Sequence, residues 1–208
     1  MKKYSYIGVA FVILIFGIYA IPKIVAKFTT HELVTIGKVP NYEFTNQDGK
    51  LITSSFYKNK VHVVEFFFTT CPTICPKMNE NMVKIQNEFY AIQEFGIVSF
   101  SINPKHDTPA ILKEYAKSHG ATLKNWNFLT GDQEKIYELA NNGFTLYAGE
   151  NSDAEGGFEH SGMFALVDKN GNIRSRLDEF GNPIAFYEGL DPKGVDMIKE
   201  DIAILLKE

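Results

Sequence analysis

Eight consecutive residues, Val61-His62-Val63-Val64-Glu65-Phe66-Phe67-Phe68, constrain the fold of this chain more than any others. β-Branched and aromatic side chains dominate the run, and its apolar character is nearly continuous. A strand with one wet face alternates apolar and polar residues, whereas a strand covered on both faces does not. The run therefore reads as a central strand with helices on both sides of its sheet. Shortly after it comes Cys71-Pro72-Thr73-Ile74-Cys75-Pro76, which holds the only two cysteines among 208 residues. Beyond them Met78, Met82, Ile85, Phe89 and Ile92 recur at helical spacing, one stripe of an amphipathic helix. A dithiol thus stands where a buried strand gives way to a helix.

Pro76 suits the first position of that helix, where a missing N–H costs nothing. This places Cys75 at or near the N-cap and Cys71 in the turn before it. Helix N-termini stabilise thiolates, so both sulfurs are expected to be reactive. Such a pair is a redox couple, a metal site, or both. A purely structural disulfide is the weaker reading, because closing so short a loop adds little stability.

The rest of the chain is regularly punctuated. Tyr42–Thr45 and Leu51–Thr53 flank a turn and read as a short hairpin. Ile97–Ile102 is a second buried strand, Thr108–Ser118 a helix closed by Gly120, Trp126–Leu129 a short strand, and Asp132–Asn141 another helix. A loop rich in Gly, Ser, Asp and Glu covers Gly149–Gly157. Met163–Val167 and Ile173–Leu177 form a hairpin about Asp168-Lys169-Asn170-Gly171. A last helix starts with Asp191 as N-cap and Pro192 at its first position. The stretch Asp178–Asp191 is left without an interpretation. This order predicts an α/β protein of thioredoxin-like fold, a central mixed sheet flanked by helices.

Ahead of this domain, Tyr4–Pro22 is an uncharged run of 19 residues bracketed by Lys2, Lys3, Lys23 and Lys27. A crossing helix needs about 20 apolar residues, so the run is expected to be an N-terminal transmembrane anchor. A cleaved signal peptide has a shorter apolar core and small residues at its cleavage site. Here bulky Ile18, Tyr19, Ile21 and Pro22 occupy that region. The expected organisation is a cytoplasmic 1–3, an anchor at 4–22, a linker at 23–38 and the folded domain at 39–208. The domain is expected outside the cytoplasm, on the periplasmic side of the inner membrane, where a disulfide-capable pair is at home. A net charge of −4 gives no electrostatic footprint for nucleic acid.

The three residues between the cysteines matter, since a redox site of the thioredoxin type has two. Wider spacing leaves room for an ion. Thioredoxins also place a proline opposite the dithiol, ahead of the final hairpin, but this chain has none between Pro109 and Pro183. Phe158-Glu159-His160-Ser161-Gly162 leads into that hairpin instead, so His160 takes the proline's place. Two thiolates and one imidazole leave structural zinc one ligand short. They suit Cu(I), which is soft and accepts low coordination, and the imidazole makes Cu(II) tolerable. Met78 and Met82 belong to the core stripe, and His31, His62 and His119 are read as non-functional. His106 is carried as an auxiliary-ligand alternative.

Four segments in order, TTCPTICPKM, SINPKHDTPAILKEYAKSHG, FLTGDQEKI and EHSGMFALVDKNG, resemble the Sco/SenC family. The resemblance covers most of Val39–Asp168. It implies a membrane-anchored copper protein of thioredoxin fold that assists assembly of the binuclear copper centre of cytochrome c oxidase. By position, it implies Cys71, Cys75 and His160 as copper ligands. The implied partners are the copper-site subunit of the oxidase and a copper donor. Two departures stand out: Asn103 where the family commonly has Asp, and His106 where Arg is common. The alternative function is a thiol–disulfide oxidoreductase that reduces the cysteines of a copper site, with Cys71 and Cys75 as its redox pair. A peroxidase is a third alternative, since the loop at Phe68–Thr73 resembles a peroxiredoxin's. Such enzymes need an arginine beside the thiolate, however, and only Arg174 and Arg176 exist.

Overall fold

The computed structural model describes residues 5–28, 32–154 and 156–208, with side chains of the first stretch described over 8–20. Two compact units result, Met1–Glu32 and Leu33–Glu208. In the first, helix α1 (Ser5–Phe28) covers the expected anchor from Ser5 on, and the expected cytoplasmic 1–3 and Tyr4 lie outside the described residues. Its Val9, Phe11, Val12, Ile13 and Phe16 are exposed. Among the described residues no helix is long and apolar enough to cross a membrane. His31 lies outside the described residues.

The second unit is built on one mixed sheet. Its path runs through β1 (Leu33–Lys38), β10 (Asn172–Arg176), β9 (Met163–Val167), β4 (Val61–Phe67), β5 (Phe95–Ser101), β6 (Trp126–Thr130), β2 (Glu43–Asn46) and β3 (Leu51–Thr53). The strand β4 lies mid-sheet, parallel to β5 and antiparallel to β9, with every one of its residues buried. Burying Phe66, Phe67 and the following Phe68 stabilises the fold by roughly 1.5–3 kcal/mol each. Helices α2 (Ile74–Phe89), α3 (Pro109–Ser118), α4 (Gln133–Glu138) and α5 (Pro192–Leu205) complete the unit. Met78, Met82 and Ile85 on α2 are fully buried, so the two methionines are core residues. Asp191 caps α5 by accepting from the Lys193 amide.

Two expectations change, and one uninterpreted stretch gains a structure. Leu33–Lys38, read as the end of a linker, is an edge strand paired antiparallel with β10. Its side chains are mostly exposed, so no apolar alternation announced it, and main-chain hydrogen bonds hold it. The expected loop at Gly149–Gly157 is largely the turn of a small hairpin, β7 (Ala148–Glu150) with β8 (Phe158–His160). Gly156 and Gly157 have positive φ there, and a Cβ at Gly156 would meet the Phe68 ring at 2.8 Å. Finally, Asp178–Asp191 contains β11 (Tyr187–Glu188), which pairs with the start of β9 and buries Tyr187.

Candidate metal centre

The chain leaves β4 through Phe68 and turns at Thr69–Thr70 before the first cysteine. Asp107, fully buried, pins this turn. Its Oδ2 accepts from the Thr69 amide at 3.0 Å and the Ser101 hydroxyl at 2.5 Å, and its Oδ1 from the Thr69 hydroxyl. Thr108 then caps α3 by accepting from the Ile111 amide, with Pro109 at the first helical position. One Asp-Thr-Pro segment therefore positions the dithiol loop and starts a helix. Asn103 contributes its backbone here: its amide donates to Ser101 Oγ, and its carbonyl accepts from the amides of His106 and Asp107.

Helix α2 begins earlier than the sequence suggested. Thr73 is the N-cap and Ile74 the first helical residue, which puts Cys75 second and Pro76 third. The first four amides of a helix have no intrahelical acceptor, so proline is tolerated at the third position as at the first. The free amide of Cys75 donates to Cys71 Sγ at 3.5 Å, and Thr73 Oγ1 lies 3.7 Å from the same sulfur. Both cysteines are free thiols in this structure.

His160 arrives from the opposite side, at the end of β8. Its Nδ1 donates to the Ser161 carbonyl at 3.0 Å, which leaves Nε2 facing the sulfurs. Nε2 lies 3.0 Å from Cys75 Sγ. The ring packs edge-on against Phe68. Cys71, Cys75 and His160 are all buried, and their three donor atoms lie within 4.8 Å of one another. Among the described residues this is the only cluster of three or more His, Cys, Asp or Glu side chains able to hold a metal ion. His106 is not part of it, because its Nδ1 is engaged with Asp107 Oδ1 at 2.9 Å. Nor are His119, at the C-cap of α3, and His62, at the far end of β4.

Electrostatics divides the two sulfurs. Cys71 is pulled down to about 3, chiefly by the hydrogen bond from Cys75 and further by His160, against its burial. The same bond, together with burial, pushes the Cys75 thiol well up. The shared hydrogen bond thus favours charge on Cys71 over charge on Cys75. A cavity of about 310 Å³, lined among others by Phe68, Cys71, Ile74, Phe158 and His160, gives access on the Cys71 side. A larger cleft of about 860 Å³ lies between the β2–β3 hairpin and α4, but it contains no cysteine or histidine. Donor chemistry, not size, identifies the site. Arg174 and Arg176 stand away from the thiols in ion pairs with Asp168 and Glu208, and with Glu200 and Asp201. The arginine a peroxidase needs is therefore committed elsewhere.

A buried polar group on β4, ahead of the dithiol loop, was not singled out from the sequence. Glu65 is fully buried on β4, with Oε1 accepting from Ser99 Oγ at 2.6 Å. Asn79, one helical turn after Cys75, donates from Nδ2 to the Cys75 carbonyl at 3.0 Å and to Tyr115 Oη at 2.8 Å. The one available signal was a lone acid inside an apolar strand.

Comparison with known proteins gives a consistent result. The family described as SCO1/SenC matches residues 34–192. The SCO1 protein homolog of Bacillus subtilis is 35% identical over 167 residues, covering 79% of this chain and 81% of that protein. A crystal structure of a SCO1/SenC family lipoprotein from Bacillus anthracis superposes with a TM-score of 0.73 at 30% identity, covering 85% of this chain and 99% of that one. The structure of BsSco, described as having a disulfide switch and as a member of the Sco family of cytochrome c oxidase assembly proteins, gives 0.70 at 29% identity. It covers 86% of this chain and 98% of that one.

Proposed function

The chain belongs to the SCO1/SenC family, and from that premise we propose that it is a membrane-anchored copper chaperone assisting assembly of the binuclear copper centre of cytochrome c oxidase. The observation that carries this reading is the convergence of Cys71 Sγ, Cys75 Sγ and His160 Nε2 within 4.8 Å. Two thiolates and an imidazole fit soft, low-coordinate Cu(I), and the imidazole also serves Cu(II). Copper is cargo here. Cys71, which lines the cavity together with His160, is the sulfur a partner's cysteine would reach first during transfer, while fully buried Cys75 holds the ion from behind.

The uncharged N-terminal run Tyr4–Pro22 is proposed as the anchor on its sequence alone, with the folded unit on the periplasmic side of the inner membrane. The family's lipoprotein member supports that placement of the folded unit. The proposed partners are the copper-site subunit of the oxidase and a copper donor. A second reading, reduction of the recipient's copper-site cysteines, draws on the depressed Cys71 thiol and on the disulfide switch described for BsSco. Titrating the reduced full chain in detergent with Cu(I), against a competing chelator, tests the copper reading. One equivalent is expected to bind, and His160→Ala to bind about tenfold or more weakly. Equal affinity in the two forms would remove His160 from the ligand set.

A further inference from the structure

The donor atoms of the site come from two separate pieces of structure. Cys75 belongs to the first turn of α2, and His160 ends β8, a strand of the small β7–β8 hairpin outside the main sheet. A binding constellation has to be held to within about 0.5 Å, which side-chain packing between independent elements does not secure by itself. A relay of buried polar contacts joins the two pieces. Asn81, further along α2, is buried, and its Nδ2 donates to the Gly189 carbonyl at 2.7 Å. Gly189, also buried, follows β11 and donates its amide to the Gly162 carbonyl at 2.8 Å. Gly162 adjoins Ser161, whose carbonyl accepts from His160 Nδ1 at 3.0 Å and whose amide donates to the Tyr147 carbonyl at 3.1 Å. The segment that orients the imidazole is thus tied to Tyr147 on one side and, through Gly189, to the helix of Cys75 on the other.

The far end of the relay is firm. A Cβ on Gly189 would come within 2.8 Å of the Gly162 carbonyl oxygen and 2.9 Å of the Phe164 ring, so the two main chains meet without a spacer. One on Gly194, at the start of α5, would collide with the Glu188 carbonyl. Tyr187 and Glu188 of β11 pair with Phe164 and Met163 of β9. Tyr187 Oη donates to Asp201 Oδ2 of α5 at 2.7 Å, and Asp201 also takes the Arg176 guanidinium from β10. The sheet and α5 therefore hold Gly189 in place, and Asn81 ties α2 to that fixed point. A plainer role for Asn81 is to satisfy a main-chain carbonyl that would otherwise be buried unpaired. That service would matter equally with or without His160.

We propose that Asn81 is a positioning residue for the copper site: by tying α2 to Gly189 and Gly162, it sets the 3.0 Å approach of His160 Nε2 to Cys75 Sγ. The inference rests on the three-ligand reading above and adds the buried strut that keeps the imidazole aligned with the thiols. Asn81 acts through Gly189, Gly162 and Ser161 and supplies no ligand atom.

The test titrates the reduced full chain, in detergent, with Cu(I) against a competing chelator, in the parent, Asn81→Ala, His160→Ala and double-variant forms. Loss of an outer-shell contact costs about 10–100-fold in metal affinity, and so indirect a relay is expected at the low end of that range for Asn81→Ala. In the His160→Ala background the same substitution is expected to cost less than about twofold, since no imidazole is left to misplace. Loaded with Cu(II), Asn81→Ala is expected to keep the thiolate-to-copper absorption and to show altered nitrogen hyperfine splitting. Asn81→Asp keeps the shape and the acceptor for Lys84 Nζ but has no donor for Gly189. It is expected to behave as Asn81→Ala does and serves if that form does not fold. Equal losses in the two backgrounds, or an unchanged affinity in both Asn81 variants, would overturn the role of Asn81 and leave the three-ligand site intact. A His160→Ala form that bound copper as tightly as the parent would overturn the site reading and, with it, the role of Asn81.

Discussion

His62 and His160 are both buried, and each donates its Nδ1 proton to a nearby main-chain carbonyl, Lys60 in one case and Ser161 in the other. What each ring meets next separates them. The ring of His62 lies 4.6 Å from the Tyr57 ring, in a setting where burial depresses it to about 4. His160 presents Nε2 to a sulfur 3.0 Å away, with a second thiol close by. The same contrast runs along β4. At its entrance the buried polar group is satisfied and inert. Toward its exit Glu65 and Asn79 keep unpartnered oxygens, and two thiols converge on an imidazole. Burial alone does not make a histidine a candidate ligand; convergence of donor atoms does.

Ligand removal breaks this comparison most sharply. Cys75→Ser is expected to weaken Cu(I) binding at least about a thousandfold, ~4 kcal/mol, in chelator competition, whereas His62→Phe is expected to change it less than about twofold. If His62→Phe weakened binding as much as Cys75→Ser, the distinction between the two ends of β4 would collapse.

Acid and base then act on the two ends in opposite senses. His62 falls from 6.5 to about 4 on folding. The unfolded chain therefore gains a proton first as pH drops, and stability is lost between about pH 6.5 and 4, by about 3 kcal/mol in all. His62→Phe is expected to remove that loss in urea unfolding across the window. Glu65 rises from 4.5 to about 7 on folding, chiefly through burial. Here the native state holds the extra proton, so stability declines as pH rises from about 4.5 to 7, again by about 3 kcal/mol. Glu65→Gln is expected to gain up to that amount at pH 8 and almost nothing at pH 4. A gain that did not depend on pH would show that Glu65 is not held as a buried acid.

The smallest effect concerns sulfur of another kind. Met78→Leu, a near-isosteric change in a fully buried position, is expected to cost less than about 1.5 kcal/mol and to leave copper affinity unchanged. A loss of copper binding would place this methionine among the ligands.

Much of this was legible in the sequence where a side-chain pattern carries it. Continuous apolar residues announced β4, helical spacing announced α2, and Asp191-Pro192 announced α5. The dithiol and His160 were legible because soft donors are rare and their positions could be matched to the fold. The edge strand β1 was not, since main-chain pairing holds it with little burial. The hairpin that delivers His160 was hidden for a related reason, as polar residues and glycines in its turn look like any solvated loop. The start of α2 was misplaced because proline fits more than one position of a first turn. Glu65 gave a signal, a lone acid in an apolar run, but its meaning depends on Ser99, Trp126 and Asn79, which only the folded sheet and helices bring near it.

The most direct test of a copper site made from two thiolates and one imidazole is electron paramagnetic resonance with absorption spectroscopy of the full chain loaded with one Cu(II). The parent is expected to show a strong thiolate-to-copper absorption and nitrogen hyperfine splitting, with the splitting abolished in His160→Ala and the absorption abolished in the Cys71→Ser, Cys75→Ser double variant. A parent spectrum without sulfur charge transfer, or an identical nitrogen signal in His160→Ala, would contradict that assignment.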